Sequence, residues 1–139
     1  MRTSGTIIGG LESRPAGGAR YRRGGVVVPR LASFEEFWPY YVAQHSRPST
    51  RRLHFAGTTM VLAALAAAVL VSPWWALAAP VVGYGPAWIG HFFFEKNRPA
   101  TFTHPLWSLR GDFRMYGLML AGRMRPEVER ALKAYPAGG

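Results

Sequence analysis

The fold is decided by residues 55–94. FAGTTMVLAALAAAVLVS (residues 55–72) is 18 residues without a charge, and WWALAAPVVGYGPAWIGHFFF (residues 74–94) is 21 residues without a formal charge if His91 is neutral. Eighteen to twenty apolar residues in a helix match the hydrocarbon thickness of a bilayer. Ser72-Pro73 marks a tight turn between the two runs, and Trp74 and Trp75 are placed as interfacial aromatic anchors. Pro80, Gly83, Gly85, Pro86 and Gly90 should kink the second run.

Charge sets the orientation. Arg51 and Arg52 precede the first run, Lys96 and Arg98 follow the second, and the turn between them carries none. The positive-inside rule then puts both outer ends, and both termini, in the cytoplasm. The expected architecture is all-α: an integral membrane helical hairpin of two spans flanked by amphipathic interfacial helices. The alternative is a buried hairpin in a soluble protein, but a 139-residue chain has little else with which to cover two helices that are apolar all round.

Outward from the hairpin, Ser33-Phe34-Glu35-Glu36 fits a capping box, and Phe34, Trp38, Tyr41 and His45 follow at helical spacing with Phe37 alongside. Pro39 should disturb that helix. The aromatic stripe suits either a membrane interface or an ordinary core-facing helix. On the far side, Leu106, Leu109, Phe113, Gly117, Leu120 and Met124 form a stripe interrupted by Arg110, Asp112 and Arg114. This helix is placed along the cytoplasmic interface, dipping in at 116–121. Residues 1–32 read as a disordered basic tail, 33–126 as the membrane-embedded domain, and 127–139 as a short polar helix and frayed end. No strand and no internal repeat is expected.

The net charge is +10, and six arginines (Arg2, Arg14, Arg20, Arg22, Arg23 and Arg30) face the single acid Glu12 in the first thirty residues. With two apolar runs in the same chain, this charge suits an anionic membrane surface rather than a nucleic-acid groove. The absence of cysteine excludes disulfides, zinc–thiolate sites and thiol catalysis.

All four histidines fall at one end of the hairpin. His54 starts its first helix and His91 ends its second, while His45 and His104 lie just outside. Packed helices lie roughly 8–10 Å apart, a gap that two inward-facing histidines can bridge. Glu95 sits four residues after His91, on the same helical face. His45, His54, His91, Glu95 and His104 are therefore candidate metal ligands. Nitrogen and oxygen donors without thiolate suit Fe(II), Mn(II) or Zn(II). A di-iron hydroxylase would need about twice as many histidines. The remaining alternative is a non-catalytic membrane protein, a lipid-binding or interaction module with interfacial histidines.

Gln44-His45, Arg51-Arg52-Leu53-His54-Phe55-Ala56-Gly57-Thr58, the stretch from Gly83 through Gly90-His91-Phe92-Phe93-Phe94-Glu95 to Arg98-Pro99-Ala100, and Pro105-Leu106-Trp107-Ser108-Leu109 resemble the Mpo-like membrane protein family, in its short bacterial branch. The likeness covers about residues 34–124. That family was formerly a domain of unknown function, and its yeast member is an endoplasmic-reticulum 2-hydroxy-fatty-acid dioxygenase. The resemblance implies an Fe(II)-dependent dioxygenase, independent of 2-oxoglutarate, that uses O2 to shorten a 2-hydroxy fatty acid by one carbon in α-oxidation. It implies a place in a bacterial inner membrane. It matches His45, His54 and His91 to the family's catalytic histidines and Glu95 to its acid. Arg51, Arg52, Arg98, Arg110 or Arg114 would attract the substrate carboxylate.

Overall fold

The computed structural model describes residues 20–23, 26–29 and 31–136. They divide into two units, Met1–Leu31 and Ala32–Gly139. In the first, β1 (Arg20–Arg23) pairs antiparallel with β2 (Val26–Pro29), Arg20 opposite Pro29 and Arg23 opposite Val26. The sequence reading expected no strand, because Val26–Val28 looked too isolated to pair. Its partner is the adjacent Arg-Tyr-Arg-Arg run across Gly24-Gly25, a dipeptide suited to two-residue hairpins. The rest of the expected disordered tail lies outside the described residues.

Among the described residues of the second unit, all regular structure is helical. Helix α1 (Phe34–Ala43) starts at Ser33, whose Oγ accepts the Glu36 N–H at 3.2 Å. The Glu36 carboxylate in turn accepts the Ala32 N–H at 2.9 Å, one residue earlier than in the standard capping box. The helix runs through Pro39. Its face Phe34, Phe37, Trp38, Tyr41 and Val42 is buried against α4 and α5, so the core-facing reading holds.

Helix α2 (Pro48–Leu70) opens on Pro48, where the missing N–H has no partner to lose. Among the described residues it is the one helix long and apolar enough to cross a membrane. The second apolar run is not one continuous helix. It divides into a 3₁₀ turn (Pro73–Leu77), helix α3 (Ala78–Ile89) and a π-helical turn (Gly90–Glu95) that ends at Lys96, a left-handed residue with φ 55°. Pro73 opens the 3₁₀ turn and Pro80 lies in the first turn of α3, where its missing N–H costs little, whereas α3 runs through Pro86 without a break.

Helices α2 and α3 nevertheless pack as an antiparallel pair. Glycine makes that approach possible. A Cβ on Gly57 would lie 3.0 Å from the Gly83 carbonyl oxygen, and one on Gly90 would lie 2.9 Å from the Thr50 side chain. These contacts bring the start of α2 beside the end of α3.

Helix α4 (Pro105–Leu120) lies across α1 and α2, and α5 (Met124–Ala134) packs on α1, where Glu127 accepts the Trp38 indole N–H at 2.8 Å. Gly111 lets the Tyr41 ring press against α4, a Cβ there being 3.1 Å from the ring. Ser108, Gly111 and Met115 face inward, whereas Leu106, Leu109, Phe113 and Leu120 face out. At the α2–α3 turn, Val69, Leu70, Val71, Trp74, Leu77 and Val81 are also exposed. Together they form an exposed apolar surface around the turn.

Candidate metal centre

The packing of α1, α2 and α3 brings three of the four histidines together. His45 follows the C-terminus of α1, His54 lies in the second turn of α2, and His91 lies in the π turn. All three are buried, and each offers a ring nitrogen within 4.8 Å of the other two.

Their outer hydrogen bonds fix which nitrogen that is. His45 Nδ1 lies 2.6 Å from the Tyr41 carbonyl oxygen, which can only accept, so Nδ1 carries the proton. His54 Nδ1 lies 2.7 Å from Asp112 Oδ1 and donates to it. His91 Nδ1 lies 2.7 Å from Asn97 Oδ1. The orientation of that amide is set by its other end, where Asn97 Nδ2 donates to the Gln44 backbone oxygen and the Gln44 Oε1, both at 2.9 Å. His91 Nδ1 therefore donates as well. All three Nε2 atoms are therefore left unprotonated, each with a free lone pair.

His45 Nε2 and His54 Nε2 are 3.1 Å apart. Two unprotonated nitrogens at that distance repel, and protonating one is opposed by burial. Desolvation, reinforced by the neighbouring His54 and His91, holds the His45 pKa well below its usual value. A bound cation would remove the conflict, because both lone pairs would then face a positive charge. Each ring is oriented by a second partner in the way metal-binding histidines usually are. The residues fit a divalent metal with a three-imidazole donor set and room for further ligands.

Tyr41 supports two histidines at once. Its carbonyl holds His45, and its hydroxyl donates to the same Asp112 Oδ1 that accepts from His54. Burial and the adjacent carboxylate push the Tyr41 hydroxyl well above its usual pKa, which keeps it a donor. Asp112, Asn97 and Tyr41 were not singled out as site residues from sequence.

The other candidates are placed elsewhere. Glu95 Oε1 accepts the Arg47 N–H at 2.6 Å and Oε2 accepts the Ser46 hydroxyl at 3.0 Å, which caps the entry to α2. His104 stacks on Trp107 and contacts Thr103. Arg51 Nη1 donates to the His45 and Ser46 carbonyls, Arg110 lies 4.0 Å over the Phe34 ring, and Arg98 is exposed.

Beside the histidines is a cavity of about 200 Å³ between α2, α3 and α4. His54, His91 and Asp112 lie at one end of its lining, Thr58, Thr101 and Tyr84 add hydroxyls, and the rest is apolar, including Val61, Pro80, Trp88, Leu109 and Phe113. Arg51, Arg98 and Arg110 are not part of its lining.

Acid should weaken this core in the metal-free protein. A histidine in the unfolded chain takes its proton near pH 6.5, whereas buried His45 refuses it. The His45 contribution is therefore intact above about pH 6.5 and is lost as pH falls below it, at up to about 1.4 kcal/mol per pH unit. Urea midpoints between pH 7.5 and 5.5, wild type against His45→Asn, measure this. Identical pH slopes in the two proteins would contradict it.

A family profile described as 2-hydroxy-palmitic acid dioxygenase Mpo1-like matches residues 31–124. That stretch holds the three histidines and all their hydrogen-bond partners at Nδ1. No curated protein and no solved structure matches the chain.

Proposed function

The chain belongs to the 2-hydroxy-palmitic acid dioxygenase Mpo1-like family, and from that premise we propose that it is an Fe(II)-dependent dioxygenase removing one carbon from 2-hydroxy fatty acids. The observation that carries the reading is the set of three Nδ1-protonated histidines, each offering a ring nitrogen within 4.8 Å of the other two, beside a largely apolar cavity with its charged group at the histidine end. In the overall reaction the C1–C2 bond breaks, O2 takes up four electrons, and the products are the acid one carbon shorter, CO2 and water. Iron(II), when bound, supplies the one-electron chemistry that O2 requires and Lewis acidity towards the substrate oxygens.

The protein's own part is positioning. Tyr41, Asp112 and Asn97 hold the imidazoles as ligands rather than bases. The histidine end of the cavity receives the carboxylate and 2-hydroxyl, and the Thr58 and Thr101 hydroxyls also belong to the lining. Asp112 borders the same space, so an anionic head group enters favourably only when a divalent cation offsets that carboxylate. The apolar walls take the alkyl chain. From His91 back to Ala79 the cavity follows α3 for 12 residues, roughly 18 Å at about 1.5 Å each.

The exposed apolar surface around the α2–α3 turn supports a bilayer setting in which this hairpin is embedded with its histidine end at the cytoplasmic face. Arg47, Arg51, Arg52, Lys96 and Arg98 border that end. Reporter fusions at both termini are expected to read cytoplasm.

Purified in detergent and reconstituted anaerobically with Fe(II), the protein should retain close to one iron per chain and consume O2 with 2-hydroxyhexadecanoate but not with hexadecanoate. Iron retention without O2 uptake across a range of 2-hydroxy acids would reject the reaction. Negligible iron retention would reject the centre.

A further inference from the structure

A second cavity, of about 250 Å³, opens between the start of α2 and the turn joining α4 to α5. Its lining includes Arg51, Arg52 and Arg125 with Met119 and Met124, and among the described residues it includes no acid. We propose that this cavity binds a phosphate group, carried by an anionic phospholipid or free in solution.

Three arginines border this space, and a tetrahedral anion can accept paired N–H bonds from such side chains. Arg51 is half-buried and fixed by its bonds to the His45 and Ser46 carbonyls at 2.8 and 2.6 Å, so part of the site is already built. Two helix N-termini also meet here. Both α2, of 23 residues, and α5, of 11, begin at this cavity. The entry to α2 is capped by Glu95, whereas α5 has no side-chain bond from its N-cap and adds the positive end of its dipole.

Of the nearest acids, Glu95 is held by Ser46 and the Arg47 N–H, where it offsets part of the charge of Arg51 but leaves that of Arg52 and Arg125. Glu129 meets Arg125 through Nε at 3.0 Å in an exposed pair, which leaves the two Nη nitrogens of Arg125 available. Met119 and Met124 supply soft apolar walls beside the charge, and the uncharged run of α2 begins at Phe55, a turn beyond Arg51. A phospholipid headgroup with the first part of its glycerol fits that sequence of surfaces. The cavity is distinct from the histidine site, so it stands or falls independently of iron.

The test uses the full chain in an uncharged detergent, with thermal unfolding and intrinsic fluorescence followed during titration with inorganic phosphate, short-chain phosphatidylglycerol and short-chain phosphatidylcholine. Saturable stabilisation by phosphatidylglycerol is expected, weakened about tenfold in apparent affinity by Arg52→Gln or by Arg125→Gln and unchanged by Lys133→Gln, which removes equal charge from another part of α5. Stabilisation by inorganic phosphate as well identifies the phosphate alone as the ligand; stabilisation by phosphatidylglycerol alone identifies the lipid. Iron content in all variants should match wild type, which separates this site from the histidine centre. No saturable binding of either phosphate source, equal binding of all three variants, or equal response to uncharged-net phosphatidylcholine would overturn the proposal.

Discussion

His91→Ala is expected to abolish both iron retention and O2 uptake, whereas His104→Ala and Glu95→Gln should keep both. The three substitutions separate residues that look similar in sequence. His91 is 2% exposed and offers a ring nitrogen within 4.8 Å of those of His45 and His54. His104 is stacked on Trp107 and Glu95 holds the entry to α2. Loss of a residue that merely orients a ligand costs about 10–100-fold in metal affinity, so loss of a ligand itself should exceed that. Removing the ring also strips Asn97 Oδ1 of its donor, which costs about 1–3 kcal/mol if no water replaces it. Thermal unfolding with and without metal keeps these effects apart. Wild type should gain about 2.7 kcal/mol at a free metal concentration of 100 times Kd, and His91→Ala should gain essentially nothing. If His91→Ala binds iron as wild type does while His104→Ala does not, the centre has been assigned to the wrong residues.

The hairpin geometry was legible because two uncharged runs across Ser72-Pro73 leave little freedom: once the helices pair, His54 must come near His91. His45 followed from its place just before α2. The number of continuous spans was less legible, because apolar composition does not reveal that the second run divides into a turn, a helix and a π segment. The i, i+4 spacing put Glu95 on the face of His91, yet spacing on one element says nothing about what lies beside it. The Ser46–Arg47 entry to α2 does, and it takes the carboxylate. The partners of the histidines were the hardest to read. Tyr41 is four residues before His45, but its hydroxyl acts through Asp112, 71 residues away. Asp112 is the chain's only aspartate, placed in the middle of an apolar stripe. That oddity was a signal, and it was read as an obstacle to spanning rather than as a group placed for His54.

Asp112 carries the second large expectation. Asp112→Ala should lower metal affinity about 10–100-fold, and Asp112→Asn should come close to the same loss although it preserves shape. The carboxylate does two things an amide cannot do together. It can only accept, which obliges His54 to hold its proton on Nδ1 and keep Nε2 free. It also supplies a negative charge beside the three imidazoles, which would favour a dication there. An asparagine that turns its NH2 towards His54 makes Nδ1 an acceptor, moves the proton to Nε2 and removes that nitrogen from the donor set. If it turns its oxygen instead, the charge is still lost. Tyr41→Phe should behave differently: it removes one of two donors to Oδ1 but leaves the carboxylate and the Tyr41 carbonyl in place, so a smaller loss of affinity is expected. Iron titration of the three variants and of the Tyr41→Phe, Asp112→Ala double variant decides the matter. If Tyr41 acts on the centre only through Asp112, the double variant will be no worse than Asp112→Ala alone; additive losses would show that Tyr41 acts on the centre by a separate route, and wild-type affinity in Asp112→Asn would show that the tautomer of His54 is set by something other than this carboxylate.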